Sequence, residues 1–158
     1  MGMYGVRGAG NVESDGESGM STILASDYFG PWQSHKDVTD EVRANAAELL
    51  VRVNALLEDA FNDGFDIVLN KQTASYISGT QYGGFRPQSC PIGAAHSAHK
   101  TGQAVDIHDP WDALDDWIDK HPGCLEAHDL YREASSATRR WCHLSTRAPK
   151  SGKRTFLP

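Results

Sequence analysis

Apolar residues recur between positions 39 and 64 at the three- and four-residue spacing of an amphipathic helix. Thr39 opens this segment, Asp40 and Glu41 are favourable in its first turn, and Gly64 ends it. The core-facing positions are Val42, Ala46, Leu49, Val53, Leu56, Leu57 and Ala60. The pattern therefore predicts one long helix that packs on the core.

Two short segments, residues 104–107 and 141–144, alternate apolar and polar side chains as half-buried strands do. The alternation places Asp106 on one face of the first strand, and Trp141 and His143 on one face of the second. The side chains expected to pack inward are Val105, Ile107, Cys142 and Leu144. Both strands can thus present polar groups on a face that does not belong to the core.

The remaining segments predict further elements by the same criteria. Residues 65–69 are interpreted as a strand, residues 71–96 as a long irregular loop, and residues 125–133 as a third helix. A second helix is marked by Trp111, Leu114, Trp117 and Ile118. The predicted fold class is α+β, with a small antiparallel sheet that carries polar groups on one face and is backed by helices on the other.

Composition limits the organisation and the partners. Residues 1–20 are rich in Gly, Ser, Glu and Asp without periodicity and are predicted to be a disordered leader, while residues 21–158 form one domain. A net charge of −6 and a pI near 5.6 argue against a general nucleic-acid binder. The C-terminal residues 139–158 carry basic but no acidic residues, a surface that can attract an anionic polymer such as the cell wall.

Targeting signals and cysteines indicate the compartment. No apolar stretch has the length of a membrane span, and the N-terminus lacks a signal-peptide core. Cys90, Cys124 and Cys142 form no Cys-x-x-Cys pair and are interpreted as reduced thiols. The chain is therefore expected to be made in the cytosol.

A group of metal-ligating residues stands out. His99 and Asp106 are separated by Gly102, which permits a tight reversal because it adopts positive φ without steric cost, and His143 follows on the second predicted strand. Two histidines and one carboxylate, without an evident fourth protein ligand, are the inventory of a catalytic zinc site with one open position.

These residues also resemble a known family. Ser97, His99, Gly102, Ala104 and Asp106 match the motif Ser-x-His-x-x-Gly-x-Ala-x-Asp, and Trp141 with His143 matches the following Trp-x-His. Together they are similar to the signature of the zinc D-Ala-D-Ala carboxypeptidases and related peptidoglycan L,D-endopeptidases, many of them from phages. The similarity extends from about residue 65 to the C-terminus.

The resemblance implies a hedgehog-like fold and one zinc ion per chain, held by His99, Asp106 and His143. It also implies peptide bonds of peptidoglycan as the substrate, and the cell wall or a phage particle as the place of action. The segment Gly84-Phe85-Arg86-Pro87 is similar to the family's Ser-Gly-Tyr-Arg-Pro element, with Gly83 in place of Ser. By this resemblance Arg86 contacts the substrate or the developing oxyanion. Ser97 is expected to fix its loop by a local hydrogen bond rather than to act as a nucleophile.

One position departs from the family. An Asp or Glu three residues before the last zinc histidine usually acts as general base, but position 140 is Arg, which cannot accept a proton near neutral pH. Glu133 is the first candidate to replace it, on a helix ending near residue 135. Asp109 and His108 are the next candidates, although Asp109 before a proline also reads as a helix cap.

Two further side chains complete the predicted site, and two other functions remain open. Trp141 is expected to form an apolar wall of the cleft, and His108, on the strand face of Asp106, to line it as a substrate-binding residue.

Arg140 gives weight to a catalytically impaired zinc protein of the same fold that binds cell wall or a protein partner, as in the signalling domain of hedgehog proteins. A phage structural protein that retains the fold is the third interpretation.

Overall fold

The computed structural model describes residues 20–158. The predicted leader, residues 1–20, lies outside the described part except for Met20, which packs against the core instead of belonging to a disordered segment. No helix among residues 20–158 is long and apolar enough to cross a membrane.

The long helix forms as predicted and organises the core. After a short helix α1 (Ala25–Phe29), α2 spans Asp40–Asn62, and the Thr39 side chain caps it by accepting a hydrogen bond from the Val42 N–H at 3.2 Å. All seven predicted core-facing residues of α2 are buried. They join one hydrophobic cluster with the inward side chains of the sheet, so this helix backs the sheet.

The sheet has four short strands, β1 (Ala104–His108), β2 (Tyr131–Glu133), β3 (Trp141–Ser145) and β4 (Thr155–Phe156), in the order β1-β3-β2-β4. The pairs β1–β3 and β2–β3 are antiparallel, whereas β2 and β4 run parallel. The fold class α+β is confirmed, but the sheet is mixed rather than wholly antiparallel. The predicted inward residues are completely buried.

Two predicted elements are wrong. Residues 65–69 belong to neither a strand nor a helix, and the Phe65 N–H bonds to the Ala60 carbonyl and closes the end of α2. The predicted helix over 125–133 is a single turn, α4 (Cys124–Ala127), because Asp129 adopts a left-handed conformation with φ 52°. The chain then turns into β2.

The second helix is shorter than its apolar residues suggested. Helix α3 spans Ala113–Asp119, and Leu114 and Ile118 are buried on it. Trp111 precedes the helix and is 74% exposed. Residues 71–96 form the predicted loop without strands or helices, and all three cysteines are free thiols as predicted.

Candidate metal centre and cleft

His99 lies on a 3₁₀ turn, Ala98–Thr101, that is fixed at both ends. The Ser97 hydroxyl accepts a hydrogen bond from the His99 N–H at 3.2 Å, which is the structural role expected of this serine. Gly102 ends the turn with φ 80°, and a Cβ at this position would lie 2.6 Å from the Val42 carbonyl oxygen of α2. Only glycine fits both constraints, so the turn carrying His99 is held directly against the long helix.

The His99 ring is oriented by the backbone. Its Nδ1 lies 2.7 Å from the Gly84 carbonyl oxygen, and because a carbonyl only accepts, Nδ1 carries the proton. Nε2 is then the ring nitrogen that faces Asp106, and it lies 3.4 Å from Asp106 Oδ1. A backbone partner of this kind fixes the tautomer of metal-ligating histidines. Gly84 can lie against the Tyr28 backbone because it has no Cβ, which would overlap the Tyr28 carbonyl oxygen.

Asp106 and His143 meet because they are paired residues of neighbouring strands. They lie directly opposite each other on β1 and β3, and His143 Nδ1 is 2.9 Å from Asp106 Oδ1. One ligand atom from each of His99, Asp106 and His143 lies within 4.8 Å of the other two. Two imidazole nitrogens and one carboxylate oxygen that converge in this way fit a divalent metal ion.

The electrostatics of these groups favour a charged carboxylate. Burial alone would raise the pKa of Asp106, but the charge of His99 and the hydrogen bonds from His143 and His99 hold that pKa well below its ordinary value. Burial would lower the pKa of His143, yet the hydrogen bond and charge of Asp106, with the charge of Glu133, raise it. The surroundings of Asp106 thus favour its charged form.

Arg86 reaches the centre from the long loop and binds the second oxygen of Asp106. Its Nη2 donates to Asp106 Oδ2 at 3.2 Å, while Nε donates to the Tyr82 carbonyl and Nη1 to that of Ile92. The side chain is almost completely buried. Arg86 therefore leaves Oδ1 of Asp106 directed at the two histidines and also lines the cleft above them.

Glu133 lies on a strand, not on the helix from which it was expected to swing over the cleft. Strand β2 pairs with β3 through Tyr131↔Ser145 and Arg132↔Leu144, so the same register places Glu133 opposite His143. Its side chain makes no hydrogen bond or ion pair with residues 20–158 in the structure. Because paired residues share a face, Asp106, His143 and Glu133 form a row across three neighbouring strands.

This row forms the floor of a cleft of about 430 Å³. On β4, Phe156 is paired with Glu133 and extends the row, and its ring lies 6.5 Å from that of His143. Trp141 lines the cleft as expected, two residues before His143. The cleft therefore combines three possible metal ligands and two aromatic walls with a carboxylate that has no partner among residues 20–158.

The structure does not bring the other candidates into this cleft. His108 pairs with Trp141 across the strands but lines a neighbouring cavity of about 350 Å³ with Asp109 and Trp111. The Asp109 carboxylate accepts hydrogen bonds from the first N–H groups of α3 and so serves as a helix cap. Arg140 lies in the turn before β3 with φ 83° and does not line the cleft.

The basic C-terminal residues do not form one unpartnered surface. Arg139 is paired with Asp112, and Arg154 is paired with Asp129 and stacks on the Tyr131 ring. Sequence reasoning missed Phe156 in the cleft because a two-residue strand leaves no periodic signal. The position of Arg147 at the cleft was also missed, since on sequence alone it is one of several basic residues.

No family model, no curated protein and no solved structure matches this chain. The resemblance to zinc peptidases therefore rests on the two motifs and on the convergence of their residues.

Proposed function

We propose that this chain is a zinc-dependent peptidase that hydrolyses peptide bonds in peptidoglycan stem peptides, as a D-Ala-D-Ala carboxypeptidase or an L,D-endopeptidase. The observation that carries the proposal is the convergence of His99, Asp106 and His143 in a cleft that Glu133 also lines. The resemblance of the two motifs to such peptidases supplies the substrate class.

Zinc is the proposed metal, one ion per chain. Two imidazole nitrogens and one carboxylate are a typical zinc set with one open position, and softer thiolate ligands are absent from the three residues. When bound, zinc supplies Lewis-acid chemistry, since it polarises a carbonyl group and makes water more acidic.

The side chains around this centre have separate roles. Glu133 accepts the proton of the attacking water and returns it to the leaving amine. Arg86 orients Asp106, and its two remaining N–H groups can donate to the oxyanion that develops on the substrate. Trp141 and Phe156 bind the apolar parts of the peptide. No serine nucleophile is required.

Metal analysis of purified protein tests the first half of the proposal. The wild type is expected to hold about one zinc per chain, and His99→Ala and His143→Ala are each expected to lose it. His96→Ala is the matched control, because His96 is exposed on the same loop and its side chain has no described partner. Stoichiometric zinc in both ligand variants would contradict the assignment.

Hydrolysis of peptidoglycan fragments tests the second half. The wild type is expected to release amino groups or free D-alanine from stem peptides, to lose this activity with a chelator and to regain it with zinc. A protein that holds zinc but cleaves no fragment would overturn the peptidase proposal. Saturable binding of cell wall by that inactive protein would then favour the alternative function, a zinc-binding protein of the same fold without catalysis. The arginine at position 140, where the family usually has an acidic residue, is the sequence feature that supports this alternative.

A further inference from the structure

Arg147 lies at one end of the cleft, beyond the last residue of β3. The Ser145 hydroxyl accepts a hydrogen bond from the Arg147 N–H at 2.9 Å, which fixes the bend after the strand. The guanidinium is held in turn by the His96 carbonyl oxygen at 2.7 Å and the Thr101 hydroxyl at 2.9 Å. Its position is therefore set on both sides and does not depend on a ligand.

The charge of Arg147 is not compensated by the protein. Arg86, the other arginine that lines the cleft, is paired with Asp106, whereas both acceptors of Arg147 are neutral and no ion pair to it exists within residues 20–158. A guanidinium has five N–H donors, and only two are used here. A half-buried, pre-oriented guanidinium with spare donors is suited to bind a carboxylate.

The two sides of the cleft differ in their side chains. Trp141 lies two residues before His143 and Arg147 four residues after it, so an aromatic wall and a positive charge lie on opposite sides of the ligand row. The lining residues next to Arg147 in the chain, Ala148 and Pro149, are small or compact, and so is Ala98 on the turn whose Thr101 hydroxyl holds the guanidinium. We therefore expect a small substrate residue beside Arg147 and the longer part of the peptide on the Trp141 side.

We propose that Arg147 binds the free α-carboxylate of the C-terminal residue of the substrate, so that the site removes one small residue from the end of a peptide. The inference rests on the proposed peptidase function and selects a carboxypeptidase over an endopeptidase. Arg147 is then the residue that determines specificity for a terminal carboxylate, with no part in proton transfer.

The experiment compares one stem peptide ending in D-Ala-D-Ala as the free acid and as the C-terminal amide. The wild type is expected to prefer the acid roughly 10- to 100-fold in kcat/KM, the worth of one hydrogen-bonded charge. Arg147→Gln is expected to lose this preference through a higher KM for the acid alone, with zinc content unchanged. Arg139→Gln, an exposed arginine outside the cleft, is the matched control and should keep the preference.

Thr101→Val distinguishes a purely structural role of Arg147 from carboxylate binding. The substitution removes one hydrogen bond of the guanidinium but keeps its charge. This variant is expected to retain the preference for the acid. Equal hydrolysis of acid and amide by the wild type, or an equal loss of both in Arg147→Gln, would overturn the inference while the peptidase function stands. The same result in Thr101→Val as in Arg147→Gln would also overturn it.

If no peptide is cleaved, the peptidase function fails, and calorimetric titration of the zinc-loaded protein with the two peptides decides about Arg147 separately. Tighter binding of the acid than of the amide, lost in Arg147→Gln, supports a carboxylate site. Equal affinities for acid and amide would reject it.

Discussion

Glu133→Gln is expected to lower kcat about 100- to 10,000-fold while the fold and the zinc content stay unchanged. The amide has the shape of the carboxyl group but cannot accept the proton of the attacking water. Loss of a general base typically has an effect of this size, which corresponds to about 3 to 5 kcal/mol in the activation barrier. Among the residues that line the cleft, Asp106 is the only other carboxylate, and it is bound to Arg86 and both histidines.

The structure also limits what else this substitution can change. The Glu133 side chain is half-buried and makes no hydrogen bond or ion pair among the described residues, so the isosteric amide breaks no contact. The free energy of unfolding is therefore expected to change by less than about 0.5 kcal/mol. Glu133 contributes no ligand atom to the set formed by His99, Asp106 and His143, so zinc should stay stoichiometric.

The assay measures steady-state hydrolysis of stem peptides, zinc per chain and the denaturant midpoint on the same preparation. Glu58→Gln provides the matched control, since Glu58 is exposed on α2 and has no described side-chain partner. Full activity of Glu133→Gln would refute the reasoning and direct the search for the base outside the cleft floor. Loss of zinc in this variant would show that Glu133 supports the metal centre instead of transferring a proton.

Three further expectations follow from contacts around the site. Arg86→Met should weaken zinc binding about 10- to 100-fold in competition with a chelator, because Asp106 loses the donor that orients it; unchanged affinity would contradict this. Gly102→Ala should destabilise the fold by about 2 kcal/mol or more in denaturant titration, and by more than Gly152→Ala, which has a similar φ but open space. Burial outweighs a nearby arginine and raises the pKa of Asp115 from 3.8 to about 6, so its contribution to stability is present below pH 4 and is lost as the pH rises through 6. The difference between wild type and Asp115→Asn should shift by about 2.5 kcal/mol from pH 4 to pH 8, and a constant difference would refute it.

The elements that sequence reasoning predicted correctly are those that bury a regular apolar face. Helix α2 shows seven apolar residues at helical spacing, and all of them are buried. Strands β1 and β3 show the alternation expected of half-buried strands. Because the same alternation fixes which side chains face away from the core, the positions of Asp106 and His143 on one face followed from the sequence.

Strand β2 could not be predicted in this way because its inward residue is charged. Arg132 is 3% exposed and takes the place that an apolar residue would fill, paired with the buried Asp115 and with Asp119. With Tyr131 and Glu133 on either side, three residues carry no apolar alternation at all. Residues 65–69 show the opposite case, since their mostly apolar side chains suggest a strand but their backbone pairs with no strand among the described residues.

The geometry of the sheet shows how the missing acidic residue at position 140 can be replaced. Side chains alternate along a strand, so a residue three positions before His143 belongs to the opposite face when the strand continues, and here Arg140 lies in a turn instead. A residue directly across an antiparallel pair lies on the same face, with Cβ atoms about 5 Å apart. The register of β2 and β3, continued by one residue, places Glu133 at this cross-strand position beside His143, and Asp106 is paired with His143 on the other side. A neighbouring strand thus offers a carboxylate that β3, the strand of His143, does not carry, and this is the physical ground for the proposal that Glu133 transfers the proton.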